Sequence, residues 1–129
     1  MATVTYLDTH VAAWMFAGRT DLLPPRVRRL LEDREILISP IVGLELQYLF
    51  ETGRTTEPAA VVLQALTQEA GLRVCDLPFA DVIEMAQRES WTRDPFDRII
   101  VGQAALRKAP LVTKDATVRS HYRRAVWAR

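Results

Sequence analysis

Short apolar segments alternate with amphipathic ones along the chain, and this alternation constrains the fold more than any other feature. The short segments are typical of buried strands, and the longer ones repeat apolar residues at helical spacing. Strands that alternate with helices predict a three-layer α/β/α sandwich with a central parallel sheet of four to five strands. The predicted strands are residues Val4–Leu7, 35–39, 72–77 and 110–113, with an edge strand at 125–128.

Prolines, glycines and capping residues delimit the predicted helices. Ser39 is the expected N-cap of the helix that opens at Pro40, and glycines are expected to end several helices. The helices are expected at residues 10–17, after Pro24-Pro25, and at 40–53, 56–71, 79–90, 96–108 and 115–122. Two of them carry apolar stripes expected to face the core, namely Ile41, Leu44, Tyr48 and Leu49 in one, and Val62, Leu63, Leu66 and Ala70 in the other.

Length and composition favour one globular domain spanning residues 1–129. The chain has 129 residues, of which 49% are hydrophobic, and a chain of this size buries roughly two-thirds of its unfolded surface. Cys75 is the single cysteine, which excludes an intramolecular disulfide and a cysteine-based zinc site and indicates a reducing compartment. The first residues lack a basic leader, and no run of about 18 uncharged apolar residues occurs. We therefore expect a soluble, cytoplasmic protein.

The charge is nearly balanced overall, at +1, but unevenly distributed along the chain. From position 114 onward, Asp115 is the single acid among five basic residues, which are Lys114, Arg119, Arg123, Arg124 and Arg129. A basic end suits a substrate with a phosphate backbone. It is equally compatible with a solvated tail or with a contact for an acidic partner.

Five carboxylates stand where predicted strands end or helices begin. Asp8 and Asp115 follow the first and fourth predicted strands, and Glu45 lies in the helix after the second. Asp94 and Asp97, three residues apart at a helix start, share one face. Because ligands gather at the carboxyl ends of parallel strands, we expect these side chains to meet in one cleft. Mg²⁺ prefers carboxylate oxygens, and two such ions can clamp a phosphodiester, so the sequence predicts a metal-dependent nuclease.

Each carboxylate taken alone has a simpler explanation. An aspartate at a helix N-terminus is commonly a cap that stabilises the helix by about 1 kcal/mol, and for Asp94 this explanation is as good as the ligand hypothesis. Glu45, between Leu44 and Leu46, lies either on the polar face of its helix or buried against a cation. The ligand hypothesis therefore depends on the whole set of acids.

In this order, the residues resemble the PIN-domain ribonucleases, and specifically the VapC-type toxins of bacterial toxin–antitoxin pairs. The resemblance covers essentially the full chain, and its most specific block is Arg93-Asp94-Pro95-Phe96-Asp97-Arg98. The other matching segments are Leu7-Asp8-Thr9-His10, Ser39 to Glu45 with Gly53-Arg54, Leu111-Val112-Thr113-Lys114-Asp115, and Val126-Trp127.

The resemblance implies a PIN-like fold and a catalytic quartet that binds Mg²⁺ or Mn²⁺, consisting of Asp8, Glu45, Asp97 and Asp115. Asp94 is then an additional acid of this subgroup, and Asp97 is favoured over it as the direct ligand. Thr113 matches a position that hydrogen-bonds water or a carboxylate. Arg98 either supports a carboxylate, contacts phosphate or pairs with Asp94 at the surface. The implied reaction is hydrolysis of an RNA phosphodiester by a metal-activated water.

The resemblance also implies protein partners. It implies a homodimer and a VapB-like antitoxin that buries the site and often inserts a basic side chain among the acids, with no membrane involved. Candidate contact residues are aromatic, although most such side chains belong to cores: Trp14, Phe16, Tyr48 and Phe50. His10 and His121 are not expected to be catalysts, because a site of carboxylates and Mg²⁺ needs no imidazole ligand.

Three other classes of protein share part of this pattern. A phosphatase of the haloacid-dehalogenase type needs a second aspartate two residues after the first, where this chain has His10. A receiver domain needs a phosphorylatable aspartate after its third strand and a lysine after its last strand. Asp76 and Lys114 match these positions only loosely. A catalytically inactive PIN-like module that holds a metal or an antitoxin has the same residues, and a substitution such as Asp8→Asn would leave its function unchanged.

Overall fold

A five-stranded parallel sheet forms the centre of the molecule, in a computed structural model that describes residues 3–128. The strands lie in the order β3-β2-β1-β4-β5, and every neighbouring pair is parallel. With helices on both faces, the predicted three-layer α/β/α fold is confirmed. The strands are β1 (Val4–Leu7), β2 (Glu35–Ile38), β3 (Arg73–Val74), β4 (Leu111–Val112) and β5 (Ala125–Val126).

Seven α-helices connect and cover these strands within residues 3–128. Proline occupies the first turn of α2, α3 and α6. It is tolerated there because a backbone N–H in the first turn has no carbonyl partner within the helix. A single turn of 3₁₀ helix at Thr20–Leu22, which was not predicted, links α1 to α2. The helices are α1 (Thr9–Phe16), α2 (Pro25–Asp33), α3 (Pro40–Glu51), α4 (Ala59–Ala70), α5 (Phe79–Ala86), α6 (Pro95–Leu106) and α7 (Ala116–His121). None of them is long and apolar enough to cross a membrane.

Several elements are shorter than predicted. β3 pairs with β2 alone and contains two exposed residues, because it is an edge strand and the chain leaves the sheet after Cys75 donates its N–H to Ile38. α5 ends at Ala86 instead of residue 90, and α6 ends at Leu106, after which Lys108 takes a left-handed conformation with φ of 54°. The last strand ends at Val126, two residues earlier than predicted.

The inward face of α3 differs from the predicted stripe. Val42, Leu46 and Leu49 are buried, whereas Leu44 and Tyr48 are 44% and 48% exposed. Apolar residues surround much of this helix, so its orientation is decided by packing on the sheet and on neighbouring helices and not by spacing alone. Glu45 falls at helical spacing within the true buried stripe, which makes it half-buried instead of solvated. In α4, Ala70 is likewise exposed, while Val62 and Leu66 are buried.

A glycine sets the close approach of α5 and α6. A Cβ atom at Gly102 would lie 2.8 Å from the backbone nitrogen of Ala86 and 3.1 Å from the carbonyl oxygen of Val82. The two helices therefore meet backbone to backbone, at a separation that a side chain at position 102 would not permit. This contact fixes where α6 lies, and with it the carboxylates at its start.

Candidate active site

A cavity of about 480 Å³ opens at the carboxyl edge of the sheet and brings all five predicted carboxylates together. β1 leads into Asp8, β4 leads into Asp115, and α3 and α6 contribute the remaining acids from the sides. This is the edge at which parallel α/β folds bind ligands. The side chains that line the cavity are Asp8, Glu45, Asp94, Asp97 and Asp115, together with His10, Val11, Trp14 and Lys114.

Three of the five carboxylates are also helix N-caps. Asp8 accepts the N–H of Thr9 at 2.8 Å as the cap of α1. Asp94 caps α6 by accepting from Phe96 at 2.8 Å, and Asp115 caps α7 by accepting from Thr117 at 2.8 Å. Each cap uses one carboxylate oxygen, Oδ1. An aspartate can therefore cap a helix and line the cavity at the same time. Asp94 does make the capping hydrogen bond that its simpler explanation requires.

Two buried threonines hold the deeper carboxylates in place. The Thr113 hydroxyl donates to Oδ2 of Asp8 at 2.6 Å and accepts the N–H of Asp115 at 3.1 Å. The Thr9 hydroxyl donates to Oε1 of Glu45, while its own N–H donates to Asp8. Sequence reasoning identified Thr113 but overlooked Thr9, because only the fold brings α3 against the start of α1. The position of Thr9 directly after Asp8 was the one available indication.

Burial and mutual repulsion perturb the carboxylates. The pKa of Asp97 is raised to about 7, first by burial and then by the negative charges of the other four carboxylates. Burial also raises the pKa of Asp8, although hydrogen bonds from Thr113 and Thr9 oppose this effect. Burial raises the pKa of Glu45 too, against the hydrogen bond from Thr9. Several like charges that are partly withdrawn from water favour either protonation or a bound cation.

The donor set of this cavity fits a hard divalent cation. All five acids offer carboxylate oxygens, and Cys75 is buried elsewhere, with its Sγ within 3.1 Å of both Tyr6 and Gln103. Within residues 3–128, no group of three or more histidine, cysteine, aspartate or glutamate side chains is arranged so that it could hold a metal ion directly. Mg²⁺ keeps several waters and is commonly held by only one or two carboxylates, so an open arrangement of acids suits it.

The basic residues of the C-terminal segment do not lie together in the structure. Lys114 lines the cavity, whereas Arg123 and Arg124 directly precede β5 and so lie at the amino end of the strands. Arg98 is not in the cavity lining, because its Nε donates to the carbonyl oxygen of Thr92 at 2.8 Å and braces the loop before α6. The basic end thus contributes one cation to the cavity. Arg129 lies outside the described residues.

The two histidines occupy different surroundings. His10 is exposed at the rim of the cavity, where a positive charge on its imidazole would oppose the rise that burial causes in the pKa of Asp8 and of Glu45. His121 stacks on Trp91 with ring centroids 4.7 Å apart, outside the cavity lining. Sequence reasoning had not placed His10, Trp14 or Lys114 in the lining of the site.

A second concavity, the apolar groove, lies beside the acidic cavity. Its volume is about 430 Å³, and α1, α3, α4 and the segment between α3 and α4 form its walls. Two of the four candidate contact aromatics, Trp14 and Phe16, line it. Tyr48 instead packs edge-on against Phe96 at 5.5 Å, and Phe50 is half-buried outside the groove. Trp14 and His10 line both concavities.

Comparisons with known proteins agree on one kind of protein. The family model described as PIN domain matches residues 5–123. Ribonuclease VapC22 of Mycobacterium tuberculosis is 33% identical over 121 residues, which is 92% of each chain. A toxin-antitoxin complex from Klebsiella pneumoniae contains a similar fold, with a TM-score of 0.69, 19% identity and coverage of 97% of this chain and 98% of that one. VapBC2 from Rickettsia felis, bound to a promoter DNA fragment, gives a TM-score of 0.66 at 18% identity, over 96% of each chain.

Proposed function

The chain belongs to the PIN-domain family and, within it, to the VapC-type ribonucleases, and we propose that its acidic cavity is the active site of a metal-dependent endoribonuclease. The observation that carries this proposal is the convergence of five carboxylates, from four separate segments of the chain, on one cavity at the carboxyl edge of the sheet. Asp8, Glu45, Asp97 and Asp115 are the proposed catalytic and metal-binding residues. Asp94, Thr113 and Arg98 are the proposed supporting residues.

Side chains and helix ends of the protein position and polarise the carboxylates of this site. Thr113 and Thr9 fix Asp8 and Glu45 by donating to one oxygen of each carboxylate. Burial and the surrounding carboxylates raise the pKa of Asp97, in the first turn of α6, to about 7, so this acid is partly protonated at neutral pH when no cation is bound. The N-termini of α1, α6 and α7 open towards the cavity, and their partial positive charge favours anions there. A bound Mg²⁺ or Mn²⁺ would activate a water for in-line attack on the phosphodiester and offset the charge that develops.

We further propose that the protein is the toxin of a toxin–antitoxin pair. Solved relatives of similar fold are described as toxin-antitoxin complexes and as VapBC bound to promoter DNA. The apolar groove offers a VapB-like antitoxin a surface that adjoins the acidic cavity through Trp14 and His10. A segment seated in this groove would therefore reach the acids. We expect the toxin to act on RNA in the cytoplasm as a homodimer, with residues 1–129 forming a single PIN domain.

An RNA cleavage assay with a matched control tests the nuclease proposal. Asp97→Asn removes one carboxylate from the cavity, and Asp76→Asn makes the same change at an exposed residue outside it. Loss of a residue that merely supports a metal ligand costs about 10- to 100-fold, so loss of a direct ligand should lower cleavage of total RNA at least about 100-fold. Asp76→Asn should cleave like the wild type, whereas in a receiver domain Asp76 would be essential.

Equal cleavage by wild type and Asp97→Asn would contradict the proposed site. A wild-type protein that binds Mn²⁺ in a calorimetric titration, yet cleaves no RNA at any Mg²⁺ or Mn²⁺ concentration, would instead support the catalytically inactive binding module. Unfolding curves for all three proteins establish that the comparison is made between folded molecules. Removing a carboxylate from a like-charged cluster should not itself unfold the protein.

A further inference from the structure

We propose that Lys114 binds a backbone phosphate of the RNA substrate and holds the strand over the acidic cavity. This inference rests on the proposed function, because it assigns the substrate contact of the same site. In the sequence, Lys114 differs from the other basic residues of its segment because it is a lysine among arginines and stands between Thr113 and Asp115. The structure adds two further observations, which are the charge of the cavity wall and the free state of the ammonium group.

Lys114 is the one residue with a fixed positive charge among the described residues that line the cavity. Five carboxylates line the same space, and their negative potential repels the phosphates of an approaching RNA. A bound divalent cation would offset only part of this charge. A phosphate next to the scissile one therefore needs a protein cation at the rim, and the ammonium group of Lys114 is placed to supply it.

The ammonium group is free to take such a ligand. No carboxylate in residues 3–128 lies within ion-pair distance of Lys114, although five border the same cavity. Its Nζ lies instead over the indole of Trp14, 5.8 Å from the ring centroid. A cation–π contact of this kind is weaker than a charge-assisted hydrogen bond to phosphate. A phosphate can therefore draw the ammonium off the ring.

The backbone that carries this side chain is well fixed. Thr113 on one side is buried and bonded to Asp8, and Asp115 on the other side caps α7. The carbonyl oxygen of Lys114 accepts a hydrogen bond from Nη2 of Arg119 at 3.2 Å. The backbone of Lys114 is thus held at the cavity while its ammonium group remains free to move. This arrangement suits a side chain that must reach a flexible RNA strand.

The presence of a lysine instead of an arginine at position 114 supports the same role. Of the 17 basic residues, only Lys108 and Lys114 are lysines, and all the others are arginines. A guanidinium beside these acids would present a planar fork that matches carboxylates and would bridge them. An ammonium group is a compact point charge without this geometric preference, so it leaves the acids open for a metal.

The second lysine provides a matched control. Lys114→Met and Lys108→Met remove the same charge and keep a similar unbranched side chain, but Lys108 is exposed between α6 and β4, at the amino end of the strands. Both substitutions are made in the cleavage-deficient Asp97→Asn protein. Binding of a fluorescein-labelled single-stranded RNA oligonucleotide is then followed by fluorescence anisotropy over a series of salt concentrations.

Lys114→Met should weaken RNA binding about tenfold and lower the slope of log Kd against log salt by about 1. Lys108→Met should leave both quantities unchanged, and Lys114→Gln should behave like Lys114→Met. Equal effects of the Lys114 and Lys108 substitutions, or no measurable RNA binding by any variant, would overturn the proposal. If binding falls selectively but the wild type cleaves no RNA, Lys114 remains an RNA contact and the nuclease proposal alone fails.

Discussion

The acidic cavity and the apolar groove are similar in volume, about 480 and 430 Å³, and share His10 and Trp14 of α1, yet they are built from different parts of the fold. The cavity takes most of its polar groups from the ends of elements, where strands and loops pass into helices, and it takes Glu45 from the middle of α3. The groove takes its walls from the sides of helices, and several of its lining residues, such as Leu46 and Val62, belong to the main core. Volume alone therefore does not distinguish the two sites.

The difference lies in what each wall does for the fold. Apolar side chains of the groove stabilise the protein because they remove surface from water. Burial and the repulsion of the neighbouring carboxylates both raise the pKa of Asp97, so the charged form of this acid destabilises the protein until a cation is present. Substitutions in the groove should thus affect stability first, and substitutions in the cavity should affect binding and catalysis first.

The largest expected effect is on stability in the groove. Leu46 is 1% exposed, and Leu46→Ala should lower the free energy of unfolding by about 2–5 kcal/mol, because it leaves a cavity in the core. Leu44→Ala, on the exposed side of the same helix, should change it by less than about 0.5 kcal/mol. Urea unfolding measures both. Equal losses would mean that α3 is not oriented as described.

A smaller effect is expected on metal binding in the cavity. Thr113→Val removes the hydroxyl that donates to Asp8, and it should lower the affinity for Mn²⁺ by about 10- to 100-fold in a calorimetric titration. Thr113→Ser keeps the hydroxyl and should restore most of that affinity. Thr67→Val, an exposed position on α4, should have no effect. Unchanged affinity in Thr113→Val would show that Thr113 does not support a metal ligand.

The smallest effect is on the pH dependence of stability. The pKa of Asp97 is about 7 in the folded protein and near 4 in the unfolded chain, so the folded state binds more protons between these values. Stability without metal should therefore fall as pH rises from about 4 to 7 and stay lowered above that range. Asp97→Asn removes this contribution and should stabilise the metal-free protein at pH 8 by about 1 kcal/mol, since water screens a half-buried carboxyl.

Urea unfolding at pH 5 and pH 8, with a chelator present, measures this difference between wild type and Asp97→Asn. Leu46→Ala should lower stability by the same amount at both pH values, because no titrating group is changed. A pH profile of Asp97→Asn parallel to that of the wild type would contradict the raised pKa of Asp97 in the folded protein.

Residues adjacent to element ends were the easiest to predict from the sequence. Asp8 and Asp115 directly follow apolar strands, and in a parallel sheet that position determines the edge at which they lie. The contact between Thr9 and Glu45 joins residues 36 positions apart, and no local pattern indicates it. The basic segment was misleading because α7 and the loop after it return the chain to the amino edge, which separates Arg123 and Arg124 from Lys114.

The buried face of α3 was unpredictable for a different reason. Two apolar stripes at helical spacing coexist on this helix, and the residues in them have similar hydrophobicity. Only packing against its neighbours, which include α1, α4 and α6, selects the stripe that contains Val42, Leu46 and Leu49. The same selection places Glu45 at the cavity, so the position of one proposed ligand depends on a choice that local sequence leaves open.

Gly102 has no functional group and lies outside the cavity lining, yet it affects how the cavity can change during evolution. Because its missing side chain permits α5 and α6 to cross so closely, a mutation there would displace the whole of α6 and the two carboxylates at its start together. The two carboxylates on this wall of the cavity are therefore constrained as one unit, and a substitution at position 102 should move both of them relative to Asp8 and Asp115.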